Sequence, residues 1–399
     1  MGEAGLSRGA GATTEFRFDD QRSPSTARRR HVVAVAVRIA LALAISWWAN
    51  PLFIHDVAHY RLATPFTLHH LPYRNVLWEY PPLTLVPVYL AQLAGRWFAA
   101  VFVGLMIACE YGSLVAIQRA LPAHRRSIAA WWHLTVVPLA LLAWFRLDFV
   151  SVLMAALAVA AMIRCRPAAH WIVAGFAAKL WPALLVVGVA TRRRWRDAAA
   201  AVIGCAVTLM VWWLYSPPGF ATFLRFRRSS GVQVESVLGA FRLAAGDRPK
   251  VVSGAWTVGV GGWHWVDPAS LVVLGVISAA ALWRARRAPV DPIALSGGLV
   301  AVSMLCGRIL SPQYLTWLAP FVVVGMARGH RRLAPLYALS AYLTVIFLLA
   351  YKQLLAAAAW PSVVLISRNL VLALLTAELL RCAFFPSAVA FDESPTPSA

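Results

Sequence analysis

Along most of the chain the apolar residues come in long blocks, many near the roughly 20 residues that carry a helix across a bilayer. Residues 32–54 form the first block, interrupted chiefly by Arg38 and Asn50, and 97–117, 202–215 and 362–380 are further examples. Blocks of this kind predict an all-α, polytopic transmembrane protein with about 10 to 12 membrane helices. The segment before the first block is polar and rich in Gly, Ser, Thr and Arg. It is expected to be disordered (1–30), followed by a transmembrane domain (31–384) and a disordered tail (385–399), both termini being cytoplasmic. The first block is too long for a signal-peptide core and lacks a small-residue cleavage site, so it reads as an uncleaved span.

Composition strengthens this. The chain is 60% hydrophobic and 13% charged, with a mean hydropathy of +0.67, which leaves too little polar surface for a soluble domain. A net charge of +21 would fit a nucleic-acid binder, but the basic residues stand in short clusters between apolar blocks: 28–30, 125–126, 192–194, 284–287 and 331–332. That is the positive-inside pattern of cytoplasmic loops, so lipids are the expected surroundings and nucleic acid is not an expected partner. The five cysteines are far apart and form no CxxC pair, which argues against a zinc knuckle or a disulfide framework.

Placing the basic clusters inside threads the chain. Span 32–54 runs outward and leaves 56–80 outside, 97–118 returns, 128–146 goes out and 147–163 comes back. After 198–216 a loop of about fifty residues, 217–267, stays outside. Spans near 268–283, 293–310, 312–327, 333–350 and 362–380 then alternate. Two apolar segments resist simple crossing. Residues 81–94 are short. Residues 170–190 have basic clusters at both ends and Pro182 in the middle, which favours a re-entrant pair of half-helices over two full crossings.

This thread gathers the informative polar residues at the outer face: Asp56, Glu79, Asp148, Glu235, Arg308 and Gln313. With only 16 acidic residues in the chain, the grouping marks a candidate site. The first outer loop reads His55-Asp56-Val57-Ala58-His59-Tyr60, then Pro72-Tyr73, then Glu79-Tyr80-Pro81-Pro82-Leu83, its aromatics and prolines suggesting a built surface. Asp56 is either a solvated loop acid or a carboxylate facing substrate. The spacing of His55 and His59 approaches a zinc-protease helix, but that motif has Glu where Asp56 stands and needs a third ligand, so no metal is expected. Asp148 either closes a turn with Arg146 or lines a cavity with Asp56. Arg227 and Arg228, outside against the charge rule, would meet phosphates or lipid headgroups. Arg308, in Gly307-Arg308-Ile309-Leu310-Ser311-Pro312-Gln313-Tyr314, would be costly at the interface without an anion. Lys179, in Lys179-Leu180-Trp181-Pro182, is either a snorkelling lysine or part of the cavity.

Taken in order, these motifs resemble those of the GT-C glycosyltransferases that use polyprenyl-phosphate sugars, in particular the actinobacterial α-mannosyltransferases of glycosyltransferase family 87. The resemblance is carried by Asp56, by Pro72-Tyr73 leading into Glu79-Tyr80-Pro81-Pro82-Leu83, by Lys179-Leu180-Trp181-Pro182, by Gln233-Val234-Glu235-Ser236, and by Ser311-Pro312-Gln313-Tyr314. It implies a GT-C fold with surface-lying helices in the first outer loop, and a plasma-membrane enzyme acting on the extracytoplasmic side. It implies mannose moved from a polyprenyl-phosphate donor to a glycolipid or lipoglycan, with Asp56 as the base. Arg308, Arg227, Arg228, Gln313 and Tyr314 are then expected at the donor phosphate. Tyr60, Tyr73, Glu79, Tyr80, Asp148, Gln233, Glu235, His55, His59 and Lys179 are expected around the substrates. Metal-dependent relatives carry paired acids beside the first span, and the single acid here implies neither metal nor cofactor. An arabinofuranosyltransferase of the same superfamily and a lipid or sugar transporter are the alternatives. The transporter is disfavoured because the broken segment at Pro182 has no counterpart in the second half.

Overall fold

The computed structural model describes residues 24–48, 51–64, 66–67, 69–229, 231–252, 255–259 and 265–386, so most of both expected disordered termini lies outside the described residues. The first half of the chain supplies α1 (Pro24–Trp48), α2 (Pro51–Leu62), α3 (Leu85–Leu93), α4 (Phe98–Ala120), α5 (Arg125–Ala143), α6 (Asp148–Ile163), α7 (Ala169–Ala178), α8 (Leu185–Thr191) and α9 (Trp195–Tyr215). An outer segment follows with α10 (Pro217–Ser229), β1 (Val232–Gln233), α11 (Val237–Ala244), β2 (Lys250–Val252) and β3 (Ala255–Val258). The remainder is α12 (Val266–Ala285), α13 (Pro292–Cys306), α14 (Ala319–Ala327), α15 (Leu333–Leu349), α16 (Tyr351–Leu355) and α17 (Ala359–Phe384). Among the described residues, four helices are by themselves long and apolar enough to cross a membrane: 95–120, 195–215, 266–285 and 359–384. Several other apolar helices are shorter.

Within the block expected as the span 32–54, residues 49 and 50 lie outside those described, with α1 before them and α2 after them. Asp56 sits on α2. The expectation of an all-α chain changes in the outer segment. It holds an antiparallel sheet of order β1-β3-β2, with Gln233 opposite Thr257 and Val251 opposite Trp256. These strands satisfy backbone N–H and C=O groups of a segment that packs on helices and so has limited access to water.

The segment 170–190 folds as a hairpin. Asp197 accepts hydrogen bonds from the backbone N–H groups of Ala168 and Ala169, where α7 begins. Arg192, just past the end of α8, donates to the Met162 carbonyl at the end of α6, so both feet of the hairpin share one end of the bundle. Its apex at 179–181 reaches Asp148, the first residue of α6. Helix α6, about 24 Å long, measures the height of that hairpin. A Cβ on Gly175 would come within 2.9 Å of Pro182 Cβ, so glycine is what lets the two arms close.

Helix α6 and the α13–α14 pair are enclosed by protein, whereas α9 and α12 leave most of their apolar surface outward, as peripheral membrane helices do. Two buried ion pairs tie the bundle together. Arg38 of α1 reaches Glu110 of α4, which also accepts from the Trp132 indole, and Arg328 donates to Asp291, the residue that caps α13. A second apolar cluster of Val234, Leu243, Val258, Phe347, Leu354 and Leu365 seats the outer segment on α15, α16 and α17.

Candidate active site

A cavity of about 1020 Å³ opens where α2, the loop before α3, the α5–α6 turn, the apex of the hairpin, β1, β3, the segment after α13 and α16 converge. On α2 the residues Asp56, His59 and Tyr60 share one face, as positions three and four apart do on a helix, and all three line the cavity. Asp56 Oδ2 lies 3.0 Å from Arg146 Nε, with side-chain exposures of 26% and 21%. Burial alone would lower the affinity of Arg146 for its proton, but Asp56, Tyr60, Tyr80 and Asp148 around it raise that affinity, so the guanidinium stays charged. Tyr60 donates to the Tyr80 hydroxyl at 3.2 Å, and burial chiefly, with the negative charge of Asp56, holds both phenols protonated. Glu79 shares this wall.

The deepest charges belong to the hairpin apex. Lys179 Nζ is 2.6 Å from Asp148 Oδ1, and the Trp317 indole N–H donates to the same oxygen at 2.7 Å. Lys179 also lies over the Tyr314 and Trp317 rings at 4.5 and 4.8 Å, those two rings being stacked on each other. Trp181 stacks on the other side of Trp317 and donates to Ser151. A lysine with a carboxylate and two aromatic faces is a packed element, and the snorkelling alternative no longer applies.

The third wall comes from the outer segment. Gln233 donates its side-chain amide to Ser311, and its backbone N–H bonds to the Arg308 carbonyl, which stitches β1 to the segment carrying Gln313 and Tyr314. Glu235 accepts from the Tyr351 hydroxyl at 2.6 Å. Its carboxyl is pushed above the ordinary range by burial, against the pull of Tyr351, its own backbone N–H, Arg368 and Arg146.

Eleven of the expected site residues thus meet at one cavity: Asp56, His59, Tyr60, Glu79, Tyr80, Asp148, Lys179, Gln233, Glu235, Gln313 and Tyr314. Tyr73 stands behind it. Its backbone has φ 66°, its hydroxyl donates to the Tyr80 carbonyl, and its own carbonyl accepts from Ser216, so it braces Tyr80 against the start of α10. Arg308 does not line the cavity, because its guanidinium forks onto Asp267 at 3.0 and 2.6 Å. The buried cation that sequence reasoning paired with a phosphate is partnered by a carboxylate of α12. The side chains of His55, Arg227 and Arg228 lie outside those described, although all three belong to helices. Lys352 is on the cavity wall and was not anticipated, since it looks like the polar end of an apolar block. Among the described residues no group of three His, Cys, Asp or Glu side chains converges as a metal site would.

A cavity walled by carboxylates, phenols and indoles, and ringed by apolar helices, suits an amphipathic substrate with a hydroxylated head. The profile of glycosyltransferase family 87 matches residues 78–312, more than half of the chain. The chain belongs to glycosyltransferase family 87 and is a membrane-embedded glycosyltransferase. The matched stretch includes the 79–83, 179–182 and 233–236 motifs and begins after Asp56. The solved structure of ArnT from Cupriavidus metallidurans bound to undecaprenyl phosphate is similar at 18% identity, covering 90% of this chain and 78% of that one, with a TM-score of 0.44. No curated protein matches the chain.

Proposed function

We propose that this glycosyltransferase moves mannose from a polyprenyl-phosphate donor to a hydroxyl of a glycolipid or lipoglycan on the extracytoplasmic side, by a single inverting displacement with Asp56 as base. One observation carries the assignment of the base. Of the cavity carboxylates whose partners are resolved, Asp148 is held by Lys179 and Trp317 and Glu235 is buried against Tyr351, whereas Asp56 is a quarter exposed and makes one ion pair. Among those three it is the one left able to meet an incoming hydroxyl.

In the displacement the acceptor oxygen bonds to the anomeric carbon and its proton passes to Asp56. The bond from that carbon to the phosphate oxygen breaks, releasing polyprenyl phosphate. A glycosidase protonates its leaving oxygen with a second carboxyl. A phosphate needs cations and hydrogen bonds in place of that proton. Arg146 orients Asp56 and keeps positive charge beside the reacting centre. Gln313, Tyr314 and the α10 arginines Arg227 and Arg228 are assigned to the phosphate. Tyr60, Tyr80, His59 and Glu79 border the acceptor side next to Asp56, and Gln233 and Glu235 line the wall formed by the outer segment.

The test compares purified wild type with Asp56→Ala, assaying transfer from polyprenyl-phospho-mannose to mannosylated lipids with chelator present. Transfer that vanishes in a folded Asp56→Ala is the expected result. Survival in the variant would remove Asp56 as base, and wild-type transfer only from arabinose donors would overturn the choice of sugar.

A further inference from the structure

The described side chains lining the cavity include four carboxylates (Asp56, Glu79, Asp148 and Glu235) and three strong cations (Arg146, Lys179 and Lys352). Two of those cations are committed, Arg146 to Asp56 and Lys179 to Asp148. Lys352 is exposed and pairs with no carboxylate among the described residues. The chain has three lysines among its 37 basic residues, and two of the three line this one cavity.

The backbone beneath Lys352 is anchored. On one side Tyr351 donates to Glu235, and on the other Leu354 is fully buried in the apolar cluster under the outer segment. Helix α16 therefore presents Lys352 and Gln353 outward from a seated turn. Beside them the rim is apolar and uncovered, Leu349 being 81% exposed and Val251 58% exposed, and both line the cavity. An uncommitted ammonium next to exposed aliphatic side chains is complementary to an anionic headgroup joined to a hydrocarbon chain.

We infer that the rim between the end of α15 and the β2–β3 hairpin is where the lipid-phosphate donor docks, with Lys352 binding its phosphate and its hydrocarbon chain leaving over Leu349 and Val251. This rests on the preceding reading that the donor is a lipid phosphodiester. Lys352 then joins the groups already assigned to the leaving phosphate, adding a cation at the rim where the donor enters.

The test measures equilibrium binding of two fluorescent probes to the detergent-purified full chain: a polyprenyl monophosphate and the uncharged polyprenol of the same length. Loss of one charge-assisted contact predicts that Lys352→Gln weakens the monophosphate roughly tenfold or more and leaves polyprenol unchanged, and that Lys352→Arg restores most of the loss. Leu349→Gln should weaken both probes alike. Equal binding of both probes to wild type and Lys352→Gln would overturn the assignment, and so would an equal loss of both, which marks a structural role. Wild type that binds neither probe would sink the lipid-phosphate reading itself, and this inference with it.

Discussion

Lys179 brings its ammonium nitrogen to 2.6 Å from Oδ1 of Asp148, 31 residues earlier in the chain, and so joins the apex of the hairpin to the first turn of α6. Both side chains are nearly inaccessible, at 10% and 3% exposure. A carboxylate held this way by a lysine and an indole is committed to architecture.

Removing one partner should therefore be worse than removing both. Lys179→Met leaves Asp148 buried without its cation, a change that costs about 3–5 kcal/mol for pairs of this kind. Adding Asp148→Asn should recover a large part of the lost melting temperature, read by thermal unfolding in detergent. A double variant no more stable than the single one would show that the pair does not carry the effect.

The Asp56–Arg146 pair should behave in the opposite sense. Being partly exposed, it contributes at most about 1 kcal/mol to stability. Asp56→Asn should keep the wild-type melting temperature and lose transfer by roughly 10²- to 10⁴-fold, the range for a positioned acid or base. Arg146→Lys, which keeps the charge without the planar fork, should fall between the two. Parallel losses of activity and stability in Asp56→Asn would make this residue structural.

Glu235 gives the fold a pH dependence with a definite sign. Its folded value is raised by burial, so the stability it contributes is complete below the ordinary carboxylate value of about 4.3 and is lost as pH rises through the raised one. Between about pH 4 and pH 7 the wild type should lose melting temperature relative to Glu235→Gln, which keeps an oxygen for the Tyr351 hydroxyl. Curves that stay parallel, or diverge the other way, would contradict that burial effect.

Gly219 tests the brace behind the cavity. A Cβ at this position would stand 2.3 Å from the Tyr73 carbonyl oxygen, the atom that accepts from Ser216. Gly219→Ala should loosen the first outer loop from α10, expose it to protease, and lower transfer by on the order of 10²-fold through misplacement of Tyr80. Unchanged proteolysis and full activity would show that Tyr80 needs no such support.

How far the sequence revealed these features follows from their length scale. Helices α4, α9, α12 and α17 were legible because each is an apolar run near bilayer length. The break at Lys179-Leu180-Trp181-Pro182 was legible because proline disrupts a helix and basic residues mark both feet. The strands were not, since stretches of two to four residues carry no alternation to read. Asp56 was legible as an acid at the end of the first apolar block, and it lines the cavity. Charge reasoning detected that Arg308 needs an anion, yet could not see that Asp267, 41 residues away, supplies it. Lys352 was hidden for the converse reason, since a lysine after an apolar run looks like an ordinary span terminus until α16 turns it onto the cavity wall.

The cavity walls are drawn from residues 56 through 353, with contributions near positions 79, 146, 179, 233 and 313 between them. During synthesis the segment bearing the candidate base is made long before α15 and α16, which complete the lining. The cavity therefore has no partial form: until the last third of the chain has been inserted and packed, the wall lined by residues 348–353 is missing beside Asp56. On the proposed reading transfer activity is tied to completed assembly, and a chain that stalls or is cut before α15 is a membrane protein whose candidate base stands in an unfinished cavity.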